Sequence, residues 1–138
     1  MIILDSDIIT LMHAAHPQVA RRLEANQDDL AITVITLIKV LRGRFDYLMK
    51  ASSKQQFLHA QRLLRSSAQQ LEELPTLFLD ETALDHFELL SAKKGIKKIG
   101  RADLLIASIA LSHGATLVTR NLKHFKLVPK LKIANWVD

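Results

Sequence analysis

Four apolar residues open the chain, Met1-Ile2-Ile3-Leu4, and run straight into Asp5. A continuous apolar run that short reads as a strand buried on both faces. The period then changes: Ile8, Ile9, Leu11 and Met12 recur at helical spacing, and Ser6 is placed to cap a helix from Asp7 to about Ala15. Pro17 opens a second helix to about Asn26, and Asp28 and Asp29 make a turn. Leu30 to Val34 is a short second strand. Thr36 then caps a long helix to about Met49, with Leu37, Val40, Leu41, Phe45 and Leu48 on one face and Lys39, Arg42, Gly43 and Asp46 on another. A break at Ser52-Ser53 leads to a helix from Lys54 to about Glu73, whose apolar positions are Phe57, Leu58, Leu63, Leu64 and Leu71.

Pro75 ends that helix, and Thr76 to Asp80 is a third strand that again ends in an acid. Glu81 to Lys94 is helical, and Gly95 stops it. Lys93, Lys94, Lys97 and Lys98 form a basic connection. Ala102 to His113 is apolar almost all round, the pattern of a buried helix. Ala115 to Thr119 is a fourth strand and Leu131 to Ala134 a fifth. Short buried strands alternating with helices give a parallel sheet covered on both faces. The fold class is therefore α/β, one domain over residues 1–138, with the helical stretch between strands two and three added as a hairpin.

Composition narrows the chemistry. The 138 residues suit a single core, and with no cysteine there are no disulfides, thiol catalysis or thiolate metal sites. That fits the cytoplasm. No apolar stretch reaches the ~18 residues of a membrane span, and the apolar N-terminus carries Asp5 and Asp7 without a basic leader, unlike a signal peptide. Net charge is +5, compatible with a polyanionic partner such as RNA. The six histidines lack zinc-ligand spacing, and no phosphate loop is present.

Carboxyl ends of parallel strands share one edge, where ligands of open α/β sheets bind. Asp5 ends strand one, Asn121 follows strand four and Asp103 opens the buried helix. If strands one and four are neighbours, the three meet in one cleft and offer oxygens that suit Mg²⁺ or Mn²⁺. Ser6 and Thr119 are placed to orient a carboxylate or a water from behind. Each has a plainer role available: Asp103 as a helix cap, Asn121 as a turn residue, Asp7 as a first-turn acid favoured by the helix dipole. Asp5 is harder to dismiss, because an acid directly after a buried strand needs a partner.

These residues carry a family resemblance. Ile3-Leu4-Asp5-Ser6-Asp7-Ile8-Ile9 resembles the opening of PIN-domain proteins, particularly VapC-like toxins. Ile32 to Thr36 with Leu41-Arg42-Gly43 resembles the second motif, Ile99 to Ala107 the third, and Leu117 to Phe125 the fourth, while Val128-Pro129 to Trp136 fits the usual ending. The resemblance spans nearly the whole chain in order. It implies a PIN-like three-layer α/β/α fold with a five-stranded parallel sheet. It also implies an acidic pocket holding Mg²⁺ or Mn²⁺, with Asp5 and Asp103 as catalytic acids and Asp5, Asp103 and Asn121 as ligands. The implied activity is cleavage of single-stranded RNA by the toxin of a type II toxin–antitoxin pair, held in check by a cognate antitoxin and commonly dimeric.

One position departs. Where the family has its second acid, a glutamate after strand two, this chain has Lys39, and His124 stands where many relatives have an acid. An ammonium ~4 Å from a divalent ion is repelled by roughly 8 kcal/mol at an effective dielectric near 20. Either Lys39 points inward and pairs with Asp5 or Asp103 in the metal's place, or it lies on the polar helix face in water. The alternative to an impaired nuclease is a catalytically silent PIN domain that binds RNA or protein. From another class, a phospho-receiver would use Asp5 and Asp7 for Mg²⁺ and Asp80 as phosphoacceptor. Against it, Glu81-Thr82-Ala83 leads directly into a helix rather than a loop.

Overall fold

The structure is a computed structural model covering Met1–Asp138. Its elements run β1 (Ile2–Leu4), α1 (Ser6–His13), α2 (Pro17–Ala25), β2 (Leu30–Thr33), α3 (Val34–Met49), α4 (Lys54–Glu72) and β3 (Thr76–Leu77). They continue with α5 (Glu81–Ser91), a single 3-10 turn (Ile96–Lys98), α6 (Arg101–Ser112), β4 (Thr116–Val118), α7 (Leu122–Phe125) and β5 (Lys132–Ala134). The five strands form one parallel sheet in the order β3-β2-β1-β4-β5. The order reverses between β1 and β4, which puts the switch point beside Asp5.

Successive strand residues face opposite sides of a sheet, and here they feed two separate cores. Ile3 and Leu117 join Leu90, Ile106, Ile109, Phe125 and Val128 on the face covered by α5, α6 and α7. Leu4, Ile32 and Val118 join Ile8, Ile9, Val19, Val40, Leu71 and Trp136 on the face covered by α1 to α4. Ile3 and Leu4 are both fully buried, as the unbroken apolar run requires. The backbone ladder continues one residue past β1, where Asp5 N–H donates to the Val118 carbonyl at 3.0 Å. Pairing of Ile3 with Leu117 and Leu4 with Val118 fixes the register that brings Asp5 level with Thr119.

Several expected details shift. The cap of α1 is Asp5, not Ser6, and the cap of α3 is Thr33, whose Oγ1 accepts the Thr36 N–H at 3.1 Å; Thr36 is the residue being capped. In both cases the last residue of the strand path bends into the helix and supplies the oxygen itself. Val34 therefore belongs to α3 rather than β2. α5 ends at Ser91, short of Gly95, which takes φ 85° in the turn beyond. α7 was not expected, being four residues long and too short to show a period. Phe45, Phe57 and Leu58, on the apolar faces of their helices, are about half exposed. Asp80 lies past the end of β3, an edge strand two places from β1, and caps α5 through Ala83 N–H at 2.9 Å. It is thus kept from Asp5 and Asp7, which removes the receiver reading.

Candidate active site

Asp5 ends the β1 path with extended backbone, and both of its carboxylate oxygens are engaged. Oδ1 accepts the Ser6 N–H at 2.8 Å and Oδ2 accepts the Thr119 hydroxyl at 2.8 Å. Asp5 is 5 % exposed and Thr119 fully buried. Burial raises the Asp5 carboxyl above its ordinary range, and the neighbouring Asp7 charge adds to this; the Thr119 hydroxyl, the Ser6 N–H and the Lys39 charge act the other way. Ser6 serves through its backbone N–H rather than its hydroxyl.

A chain of hydrogen bonds leads outward from Asp5. Thr119 Oγ1 accepts the Asn121 N–H at 3.0 Å, and Asn121 Nδ2 donates to Asp103 Oδ2 at 3.3 Å. The same amide nitrogen lies 3.2 Å from His124 Nδ1. Lys39 Nζ stands 3.4 Å from Asp103 Oδ1, so of its two expected placements the structure has the inward one, with Asp103 as its partner. The side chains of that pair are 40 % and 20 % exposed, and such a half-solvated pair is worth ~0.2–1 kcal/mol. Asp103, Asn121, Thr119 and Asp5 thus gather from α6, the β4 exit and the β1 exit into one cleft, and α3 delivers a cation to it.

Asp7 does more than sit in a first turn. Its Oδ2 accepts the Arg120 N–H at 2.9 Å, tying α1 to the segment after β4, while its Oδ1 is buried without a partner. The spacing Asp5-Ser6-Asp7 carried the signal for a second acid, but not the backbone amide it would meet. Arg44 was also missed: one turn beyond Val40 it reads as an ordinary helix cation, and only the fold sets its Nε on Ser67 Oγ at 2.9 Å.

The donor set decides how a divalent metal would fare. All four oxygens of Asp5 and Asp103 already accept an N–H or O–H, one of them from an ammonium. Asn121 turns its amide nitrogen, not its oxygen, toward Asp103. No three acidic or histidine side chains stand close enough to share an ion. With only two carboxylates and an ammonium on one of them, these residues fit a resident Mg²⁺ or Mn²⁺ poorly. The cleft as built can present two carboxylates to a cation or donor, and an ammonium to a phosphate oxygen.

A family model describing the PIN domain matches residues 2–131. Ribonuclease VapC1 from Haemophilus influenzae is 29 % identical over 138 residues, 96 % of each chain. A chain from the crystal structure of VapBC2 from Rickettsia felis, bound to a DNA fragment from their promoter, superposes with a TM-score of 0.78. It is 30 % identical and 99 % of each chain is covered. A chain from DNA-bound VapBC of Salmonella typhimurium superposes with a TM-score of 0.80 at 26 % identity, covering 98 % of this chain and 97 % of that one.

Proposed function

Since the chain belongs to the PIN-domain family, in its VapC-like group, we propose that it is a toxin-type endoribonuclease directed at single-stranded RNA, with activity restrained at its own acidic centre. Asp5 and Asp103 are the catalytic acids of this reading. Asn121 is the third group available to a metal, Thr119 and Ser6 hold Asp5, and Lys39 is the restraint. The observation that carries it is the Lys39–Asp103 pair at 3.4 Å, inside a cleft built of the residues that the resemblance assigns to cleavage. Mg²⁺ or Mn²⁺ is the cofactor the reading calls for. With Lys39 in place the cleft lacks one carboxylate and holds an ammonium against one of the two that remain.

Its proposed protein partners are a cognate antitoxin and a second copy of the chain. The structural neighbours from Rickettsia felis and Salmonella typhimurium are VapBC assemblies, which supports the first. Exposed apolar side chains on α3 and α4, among them Ile38, Phe45, Met49 and Phe57, support the need for a cover. No helix is long and apolar enough to cross a membrane, and the proposed place of action is the cytoplasm. A second reading, a silent PIN domain that binds RNA or protein without cutting, is favoured by one observation: every oxygen of the two acids is already taken.

Calorimetric Mg²⁺ or Mn²⁺ titration of the chain beside Lys39→Glu, followed by cleavage of single-stranded RNA, separates them. The expected result is at least tenfold tighter metal binding and faster, metal-dependent cleavage by Lys39→Glu, abolished by adding Asp5→Asn. Equal metal affinity of the two proteins sinks the restraint. A Lys39→Glu protein that binds metal but leaves RNA intact sinks the nuclease.

A further inference from the structure

A groove of about 460 Å³ opens between α1 and α3 beside the acidic centre. Asp7, Thr10, Lys39, Gly43, Arg44 and Tyr47 line it. Its two cations and one acid leave it a net positive wall. Arg44 is pinned through Nε to Ser67, itself 2 % exposed, and has no acidic partner; the ion pairs of the molecule are Lys39–Asp103 and Arg120–Asp138. A guanidinium anchored by one nitrogen keeps its terminal donors in a fixed fork, the geometry that matches phosphate oxygens. Lys39 and Arg44 are five residues apart, about 7.5 Å along the helix axis. That offset suits successive phosphates of an extended strand.

An aromatic ring completes the lining. Tyr47 meets His59 edge-on at 6.3 Å and is 48 % exposed, so an aromatic surface is held at the groove wall for a base. Gly43 is the least expected of the set. It lies in the interior of a 16-residue helix, where glycine is unfavourable relative to alanine. A Cβ built there meets nothing within 4 Å, and its φ is not positive. Nothing in the fold asks for a glycine, and its missing side chain keeps the groove clear.

We propose that the α1–α3 groove is a nucleotide subsite for single-stranded RNA: successive phosphates lie on Lys39 and Arg44, and the base lies against Tyr47. This rests on the ribonuclease reading, and extends it by giving the strand a path away from Asp5 and Asp103. The set of two cations and an aromatic ring suits a nucleotide better than the apolar face of a protein helix.

Fluorescence anisotropy with a labelled single-stranded oligoribonucleotide in EDTA reads binding without cleavage. Arg44→Ala is expected to weaken binding at least fivefold and to reduce the slope of log K against log salt by about 0.7, one phosphate contact on a single strand. Gly43→Leu is expected to weaken it at least fivefold with an unchanged or higher melting temperature, since leucine favours the helix and its Cβ meets no neighbour within 4 Å. Wild-type binding of RNA that both variants retain overturns the subsite and leaves the ribonuclease reading standing. A wild type that binds no RNA overturns both. A Gly43→Leu protein that keeps RNA but no longer captures its antitoxin makes the groove a protein site, and also overturns the proposal.

Discussion

Asp5 does two jobs with one side chain. It caps α1 through Oδ1, and it receives Thr119 through Oδ2 in a nearly water-free setting. Burial favours its protonated form in the folded chain, so the unfolded chain ionises first as pH rises past the ordinary value of 3.8. Stability is lost from there up to the raised folded pKa and then stays lower. Asp5→Asn is isosteric and uncharged, and its amide can still accept from Ser6 and donate to Thr119. We expect it to raise the melting temperature between pH 5 and 8, with the gain vanishing toward pH 3; each ~1 kcal/mol is worth roughly 4 °C in a chain of this size. A midpoint lower than wild type at neutral pH, read by circular dichroism, overturns this account. Asp5 could be singled out in the sequence because a buried strand cannot leave an acid idle. The inward turn of Lys39 could not be, because its partner lies 64 residues away and helix position alone allows water instead.

At the level of elements, α1 and α3 meet along a seam that carries more polar atoms than a core requires. His13, in the last turn of α1, has both ring nitrogens buried and unpartnered. Burial lowers its pKa below the ordinary 6.5, and the facing Arg44 of α3 lowers it further. The unfolded chain therefore takes the proton first as pH falls below 6.5, and stability drops from there down to the folded pKa. His13→Leu gives up no hydrogen bond. Its stabilisation, measured by urea denaturation, is expected to be larger at pH 5.5 than at pH 7.5; an equal gain at both values removes His13 as the cause. The long helices were legible, since the period of apolar positions persisted over each of them, and only the four-residue α7 was not. Caps were misplaced where a strand turned directly into a helix, as at Asp5 and Thr33, because two oxygen-bearing residues stood near each junction and only the backbone path chose between them. Phe57 and Leu58 followed helical spacing but sit at the exposed start of α4, past the stretch where Ala60, Ser67 and Leu71 are buried.

For the whole molecule, the alternation of short apolar strands with helices made the parallel sheet readable, and the family resemblance supplied its size. The layout of two cores on opposite faces follows from Ile3 and Leu4 pointing opposite ways, and no single segment shows it. The sheet is also completed late: β1 at its centre pairs with β4, and the Thr119–Asp5 hydrogen bond spans 114 residues. A chain cut after Gly114 lacks β4 and β5, leaving Ile2, Ile3 and Leu4 along an open edge. Such a fragment is expected to be aggregated or unfolded by gel filtration and circular dichroism; a monomer with wild-type helix content contradicts this. The Thr119–Asp5 bond also carries a timing. While the chain is being made, its first acid leaves the ribosome almost at once but has no hydroxyl to receive until the strand and turn near the other end follow. The acidic cleft is therefore complete only once β4 and the turn beyond it have been made, whatever the earlier elements have already done.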